Sequence, residues 1–129
     1  MKKYMDDETF QKMLRKTIRD ENTFPFNEIF KKYIELRENI FDENDFQYNL
    51  YKDAFSNFLS LKIDSAILYI KNSCTVSEFS WLSELFDNVA EKTHSLDFIN
   101  ALEDTAKKYP DETIEYNLYE NIDSAKSLI

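Results

Sequence analysis

The sequence predicts an all-α protein of about seven helices, arranged as antiparallel αα-hairpins in a compact bundle or a short HEAT-like layer. Three observations carry that prediction. First, not one of the 129 residues is glycine, where average usage of about 7% would supply roughly nine. Tight β-hairpin turns rely on φ > 0, which glycine adopts without steric cost, so a sheet of short hairpins is improbable. Second, apolar residues recur at intervals of three and four along most of the chain, the spacing of one helical face. Third, the breaks between these runs span only two to six residues, so successive helices are neighbours that reverse direction.

The first helix follows Asp6, Asp7 and Glu8 and carries Phe10, Met13, Leu14 and Ile18 as its apolar stripe. Acids in its first turn and Lys16 and Arg19 near its end complement the helix dipole. Pro25 breaks it and starts the second helix, Phe26 to Ile40, with Ile29, Phe30, Tyr33, Ile34 and Leu36 apolar. Asp42, Asn44 and Asp45 form a turn and cap cluster. The third helix is expected to bury Phe46, Leu50, Ala54, Phe58 and Leu61. A shorter fourth covers Asp64 to Asn72, facing inward with Ile67 and Ile70, although its β-branched content leaves a strand open. Thr75-Val76-Ser77-Glu78 fits a capping box and opens a fifth helix running to Thr93, with Phe79, Leu82, Leu85, Phe86, Val89 and Ala90 inside. Ser95 caps a sixth, with Phe98, Ile99, Leu102 and Ala106, which stops at Tyr109-Pro110. The seventh runs from Asp111 to the end with a bend near Asn121, and places Tyr116, Tyr119, Ile122, Ala125 and Ile129 on its apolar side.

One domain, residues 1–129, suits this length. Aromatic residues make up 16% of the chain, more than a disordered acidic chain carries. After Met1-Lys2-Lys3, acids stand where the apolar part of a signal peptide would lie. The run Ala66-Ile67-Leu68-Tyr69-Ile70 is too short to span a bilayer. A cytoplasmic protein without membrane attachment, monomeric when free, is the plain expectation.

The charge is uneven. Residues 1–40 hold nine basic and eight acidic groups, a net of +1, whereas residues 41–129 hold seven and seventeen, a net of −10. An acidic surface repels nucleic-acid phosphates and steers basic proteins towards it. Acidity also serves solubility alone.

Catalytic and metal chemistry find little foothold. Without glycine there is no P-loop, dinucleotide fingerprint or nucleophile elbow. Glu91-Lys92-Thr93-His94 matches half of a carboxylate di-iron site, which needs a second His, and His94 is the only one. His94 at a helix C-terminus fits better. Asp42-Glu43-Asn44-Asp45 continues into Phe46 and Gln47 where a calcium loop wants an oxygen ligand and a glycine. Cys74 as a nucleophile would need a neighbouring base, so a structural thiol is the expectation. Lys12, Arg15, Lys16 and Arg19 form a basic stripe, read as a solvated face rather than a nucleic-acid contact. No enzyme activity, cofactor or metal is expected.

The acidic stripes remain as candidates. Glu84, Asp87 and Glu91 lie at intervals of three and four on the fifth helix. Asp97 and Asp104 stand on the sixth. Glu112 and Glu115 belong to a stretch, Asp111 to Asp123, with five carboxylates and no basic residue. Tyr109, Tyr116 and Tyr119 fall among the last group, and tyrosine is frequent at interfaces. Helical phase assigns Tyr116 and Tyr119 to the core.

The run Phe79-Ser80-Trp81-Leu82-Ser83-Glu84-Leu85-Phe86-Asp87-Asn88-Val89-Ala90-Glu91-Lys92-Thr93, then Phe98-Ile99-x-Ala101-Leu102, then Thr105-Ala106-Lys107-Lys108-Tyr109-Pro110-x-Glu112-Thr113-x-Glu115-Tyr116-Asn117, resembles the immunity protein 30 family. That family accompanies polymorphic and contact-dependent-inhibition toxins in bacteria. The resemblance spans roughly residues 76–129 and rests on a tryptophan-bearing helix, a Tyr-Pro break and a Tyr-Asn pair. It implies a small helical cytoplasmic protein that neutralises one cognate toxin, many of which are nucleases with basic clefts. It transfers no binding residues, since such interfaces change with the toxin. The partner so implied is a basic toxin domain; the acidic stripes themselves, and not the resemblance, point to Glu84, Asp87 and Glu91 first, then Asp97, Asp104, Glu112 and Glu115, as the residues that would bind it. The alternative is a helical adaptor with no toxin partner.

Overall fold

A computed structural model describes residues 4–129; Met1, Lys2 and Lys3, where the signal-peptide question begins, lie outside them. The described chain is all-α, with no strand among these residues. It divides into two compact units, Met1–Phe58 and Leu59–Ile129.

In the first unit, α1 (Asp7–Asp20) starts at Asp6, whose carboxylate accepts the Thr9 N–H at 2.7 Å. That bond lowers the Asp6 pKa, with Lys12 adding a smaller pull. Helix α2 (Phe26–Glu38) follows Pro25, and α3 (Asp45–Leu61) begins after Asn44, whose side-chain oxygen accepts the Gln47 N–H at 3.0 Å. Helix α1 packs on α2. Lys32 Nζ sits 3.2 Å from the Asp20 carboxylate, fixing the end of α1 against the middle of α2. Aromatic rings fill the seam between α2 and α3. Tyr33 stacks on Phe55 at 4.7 Å and 9°, Phe26 stacks on Phe58 at 5.0 Å, and Phe30 meets Phe55 edge-on at 5.4 Å. Phe26, Phe30 and Tyr33 are spaced four and three residues apart, so a single face of α2 supplies all three rings.

The second unit holds α4 (Ile63–Asn72), α5 (Val76–Leu82), a 3₁₀ turn (Ser83–Leu85), α6 (Phe86–Thr93), α7 (Leu96–Lys108), α8 (Pro110–Glu115) and α9 (Leu118–Lys126). Helix α7 is its spine. It packs against α4, α8 and α9, while α9 also packs against α6. The Thr105 hydroxyl donates to the Ile70 carbonyl at 3.1 Å, securing α7 on α4. Phe79, Phe86 and Phe98 are fully buried, with ring centroids 5.5 and 6.4 Å apart in succession.

Several expectations hold. The caps at Thr75 and Ser95 form, the fourth segment is a helix, and the apolar faces of the fifth and sixth segments are buried as read. Others need correction. The expected fifth helix is interrupted by the 3₁₀ turn, and the seventh breaks at Asn117, not near Asn121. On α1, Met13 and Ile18 are exposed and Thr17 is buried instead, its hydroxyl satisfied by the Met13 carbonyl at 2.9 Å. A threonine that bonds its own helix in this way can replace an apolar residue at low cost.

The phase of α3 is also different. Phe46 is 50% and Leu61 82% exposed, and Leu50 and Ala54 are half-buried. The inward face runs through Gln47, Tyr51, Phe55 and Phe58. A buried glutamine looks wrong for a core line, but its amide donates to the Met5 carbonyl at 3.0 Å and to Asp7 at 2.9 Å. With its hydrogen bonds satisfied, Gln47 is tolerated inside. That rotation brings Tyr51 and Phe55 in and turns Phe46 out. Tyr116 and Tyr119 are likewise exposed, at 52% and 44%, as is Ile129: Tyr116 caps the end of α8, Leu118 takes the inward place beside Ile122 and Ala125 on α9, and Ile129 lies beyond the end of α9.

Candidate protein-docking surface

Two helix junctions meet in the second unit and shape its most distinctive surface. The Thr75 side chain accepts the Glu78 N–H at 3.1 Å while Glu78 accepts the Thr75 N–H at 3.1 Å, which starts α5 just after Cys74. Pro110 starts α8, its missing N–H harmless at the first helical position. The Tyr109 hydroxyl donates to the Cys74 carbonyl at 3.0 Å, tying the α7–α8 junction to the α4–α5 junction. The buried Thr113 hydroxyl lies 2.6 Å from the Tyr109 carbonyl oxygen and 3.1 Å from that of Ala106. Lys108 Nζ donates to the Lys71 carbonyl across the same seam.

These ties set α8 beside α5, with an open cleft of about 390 Å³ lined by Val76, Ser77, Ser80, Trp81, Glu112 and Tyr116. The α5 residues fall at intervals of one and three on the face opposite buried Phe79 and Leu82. Glu112 and Tyr116 stand four apart, one turn along α8 and its cap, and so point the same way. Tyr116 can close the cleft because Asn117 takes φ 55°, ψ 35°, ending α8 directly after it. Asparagine enters this left-handed region more readily than most residues.

The seven carboxylates singled out in the sequence are spread over four elements. Asp87 and Glu91 are exposed one turn apart on α6, and Asp87 accepts the Ser124 hydroxyl of α9 at 3.0 Å. Glu84 is half-buried in the 3₁₀ turn, where about three residues per turn displaces it from the α-helical stripe expected to join it to Asp87. Asp97 and Asp104 are exposed on α7. Glu115 is exposed on α8, and Glu112 is half-buried in the cleft. Neighbouring Glu103 is partly compensated by Lys126 of α9 at 3.8 Å. The second unit holds thirteen acidic groups against six lysines, whereas the first holds twelve against ten.

The nucleophile and the imidazole are occupied otherwise. Burial first, and Glu78 second, push the Cys74 thiol up to about 12, so it stays protonated at neutral pH. His94 caps α6 with φ 49°, ψ 34°, and its Nδ1 lies 3.0 Å from the Leu128 carbonyl oxygen. Lys12, Arg15, Lys16 and Arg19 surround exposed Ile18 on the outer side of α1.

Trp81 and Tyr116 are the residues that sequence reasoning missed. Continuous helical phase had put Tyr116 in the core, and Trp81 carried only the resemblance. The Tyr-Asn pair was the available signal, since asparagine after an apolar run marks a left-handed helix end. No family model, curated protein or solved structure matches this chain. Among the described residues, no helix is long and apolar enough to cross a membrane.

Proposed function

We propose that this chain is an immunity protein, a stoichiometric inhibitor that captures a basic toxin domain in the cytoplasm of the producing cell. One observation carries the reading most directly. Asp87, Glu91, Asp97, Asp104 and Glu115 are all exposed on the short helices of a unit with more than twice as many acids as lysines. Exposed like charges destabilise a fold only weakly, yet together they create a field that speeds encounter with a positively charged partner. The resemblance of residues 76–129 to the immunity protein 30 family supports the same partner class. Affinity then comes from desolvated aromatic anchors, while the carboxylates set on-rate and specificity. In this reading the chain occludes its partner's working surface and performs no reaction itself.

The test is a binding measurement with the C-terminal domain of the large protein encoded immediately upstream; if no gene for a large protein with a basic C-terminal domain lies there, the reading fails. Replacing Asp87 and Glu91 with lysine is expected to slow association and flatten its dependence on ionic strength, while dissociation changes little. An association rate and salt slope equal to those of the parent protein would refute the assignment.

A further inference from the structure

We propose that the cleft between α5 and α8 receives a single arginine side chain of the partner. The proposal rests on the inhibitor reading and names the chemistry of its central contact. The cleft combines two aromatic residues, Trp81 and Tyr116, with one carboxylate, Glu112, and the apolar side chain of Val76. A guanidinium fits all three features. It stacks on aromatic faces, presents a planar fork of donors to a carboxylate, and sheds water more readily than an ammonium. Ser77 and Ser80 supply further hydroxyl acceptors for the donors that Glu112 leaves over.

The cleft is also held in place. The Tyr109 hydroxyl bond to Cys74 and the Thr113 hydroxyl at the base of α8 fix its two walls, so little ordering entropy is lost when a side chain enters. Charge complementarity selects the occupant. Thirteen acids against six lysines favour a cationic guest in this unit, and exposed Glu115 lies one turn from Glu112 to draw it in.

Trp81 is the only tryptophan of the chain, so its fluorescence reports on the cleft without labelling. Titrating the full protein with N-acetyl-L-argininamide should shift Trp81 emission saturably, and N-acetyl-L-lysinamide should do so more weakly. Glu112→Gln should weaken arginine-amide binding about fivefold or more, as loss of a charge-assisted pair implies. Tyr116→Ala, at an exposed position, should weaken it about two- to fivefold through loss of the ring face. Asp87→Asn with Glu91→Gln should weaken arginine-amide binding less than Glu112→Gln does, while clearly reducing binding of a fluorescein-labelled hexa-arginine peptide. An unchanged Trp81 emission, or equal affinity in Glu112→Gln, overturns the cleft proposal. If hexa-arginine still binds and depends on Asp87 and Glu91, the inhibitor reading survives that failure. If hexa-arginine fails to bind even at low salt, both fall.

Discussion

The Tyr69 hydroxyl lies 2.9 and 3.0 Å from the two carboxylate oxygens of Glu78, the same residue that closes the capping box with Thr75. One carboxylate thus ties α4 to the first turn of α5. Tyr69→Phe should lower unfolding stability by about 1 kcal/mol, the net worth of one hydrogen bond. Glu78→Ala should lose more, about 2 kcal/mol, because the capping box goes too. Urea denaturation of both variants checks the order; equal midpoints would show that the bond contributes nothing.

Alkaline pH should destabilise the fold in a way that traces in part to the same junction. Burial raises the Cys74 thiol to about 12 from an ordinary value of 9.0. Burial, followed by the Glu78 bond, also raises Tyr69, and burial with Glu21 raises Tyr33. Each group holds its proton more tightly when folded than unfolded, so its contribution is complete below the unfolded value and is lost as pH rises towards the folded one. Stability should therefore be flat near neutrality and fall between about pH 9 and pH 12. Cys74→Ala should show a shallower fall over that window, and a slope identical to the parent's would contradict the assignment.

Among the described residues of a chain with no glycine, two occupy the left-handed region, His94 at φ 49° and Asn117 at φ 55°. Asn117 makes the break between α8 and α9, directly after Tyr116. Asn117→Val should cost about 1–2 kcal/mol, the steric penalty of a β-branched residue there. Asn117→Gly should be close to neutral, since relief of strain is offset by a looser unfolded chain. Thermal unfolding followed by circular dichroism separates the two. Tolerance of valine would mean that the break is not held by Asn117.

The α2–α3 seam offers a test of helical phase. Phe55 is fully buried against Tyr33 and Phe30, so Phe55→Ala should lose about 3–5 kcal/mol. Leu61, at 82% exposure, should accept serine within about 0.5 kcal/mol. A reversed order of these two effects would return α3 to the phase read from sequence.

Helices, caps and stops were legible from sequence because they depend on neighbours three or four residues away. The Thr75-x-x-Glu78 box, Ser95 before α7 and Pro110 at the start of α8 are local hydrogen-bonding patterns. Asp87, Glu91, Asp97, Asp104 and Glu115 were legible as exposed groups for the same reason, whereas Glu84 and Glu112 are half-buried. The tertiary structure decided what locality could not. Which face of α3 turned inward depended on Met5 and Asp7, some forty residues away, satisfying the Gln47 amide. The cleft holding Trp81, Glu112 and Tyr116 depended on Tyr109 reaching the Cys74 carbonyl and on one asparagine taking a left-handed turn. Periodicity determined that this chain is helical, and composition that it is acidic. Long-range hydrogen bonds chose which aromatics stay at the surface, because each helix offers several faces of similar polarity and only satisfied polar groups can go inside.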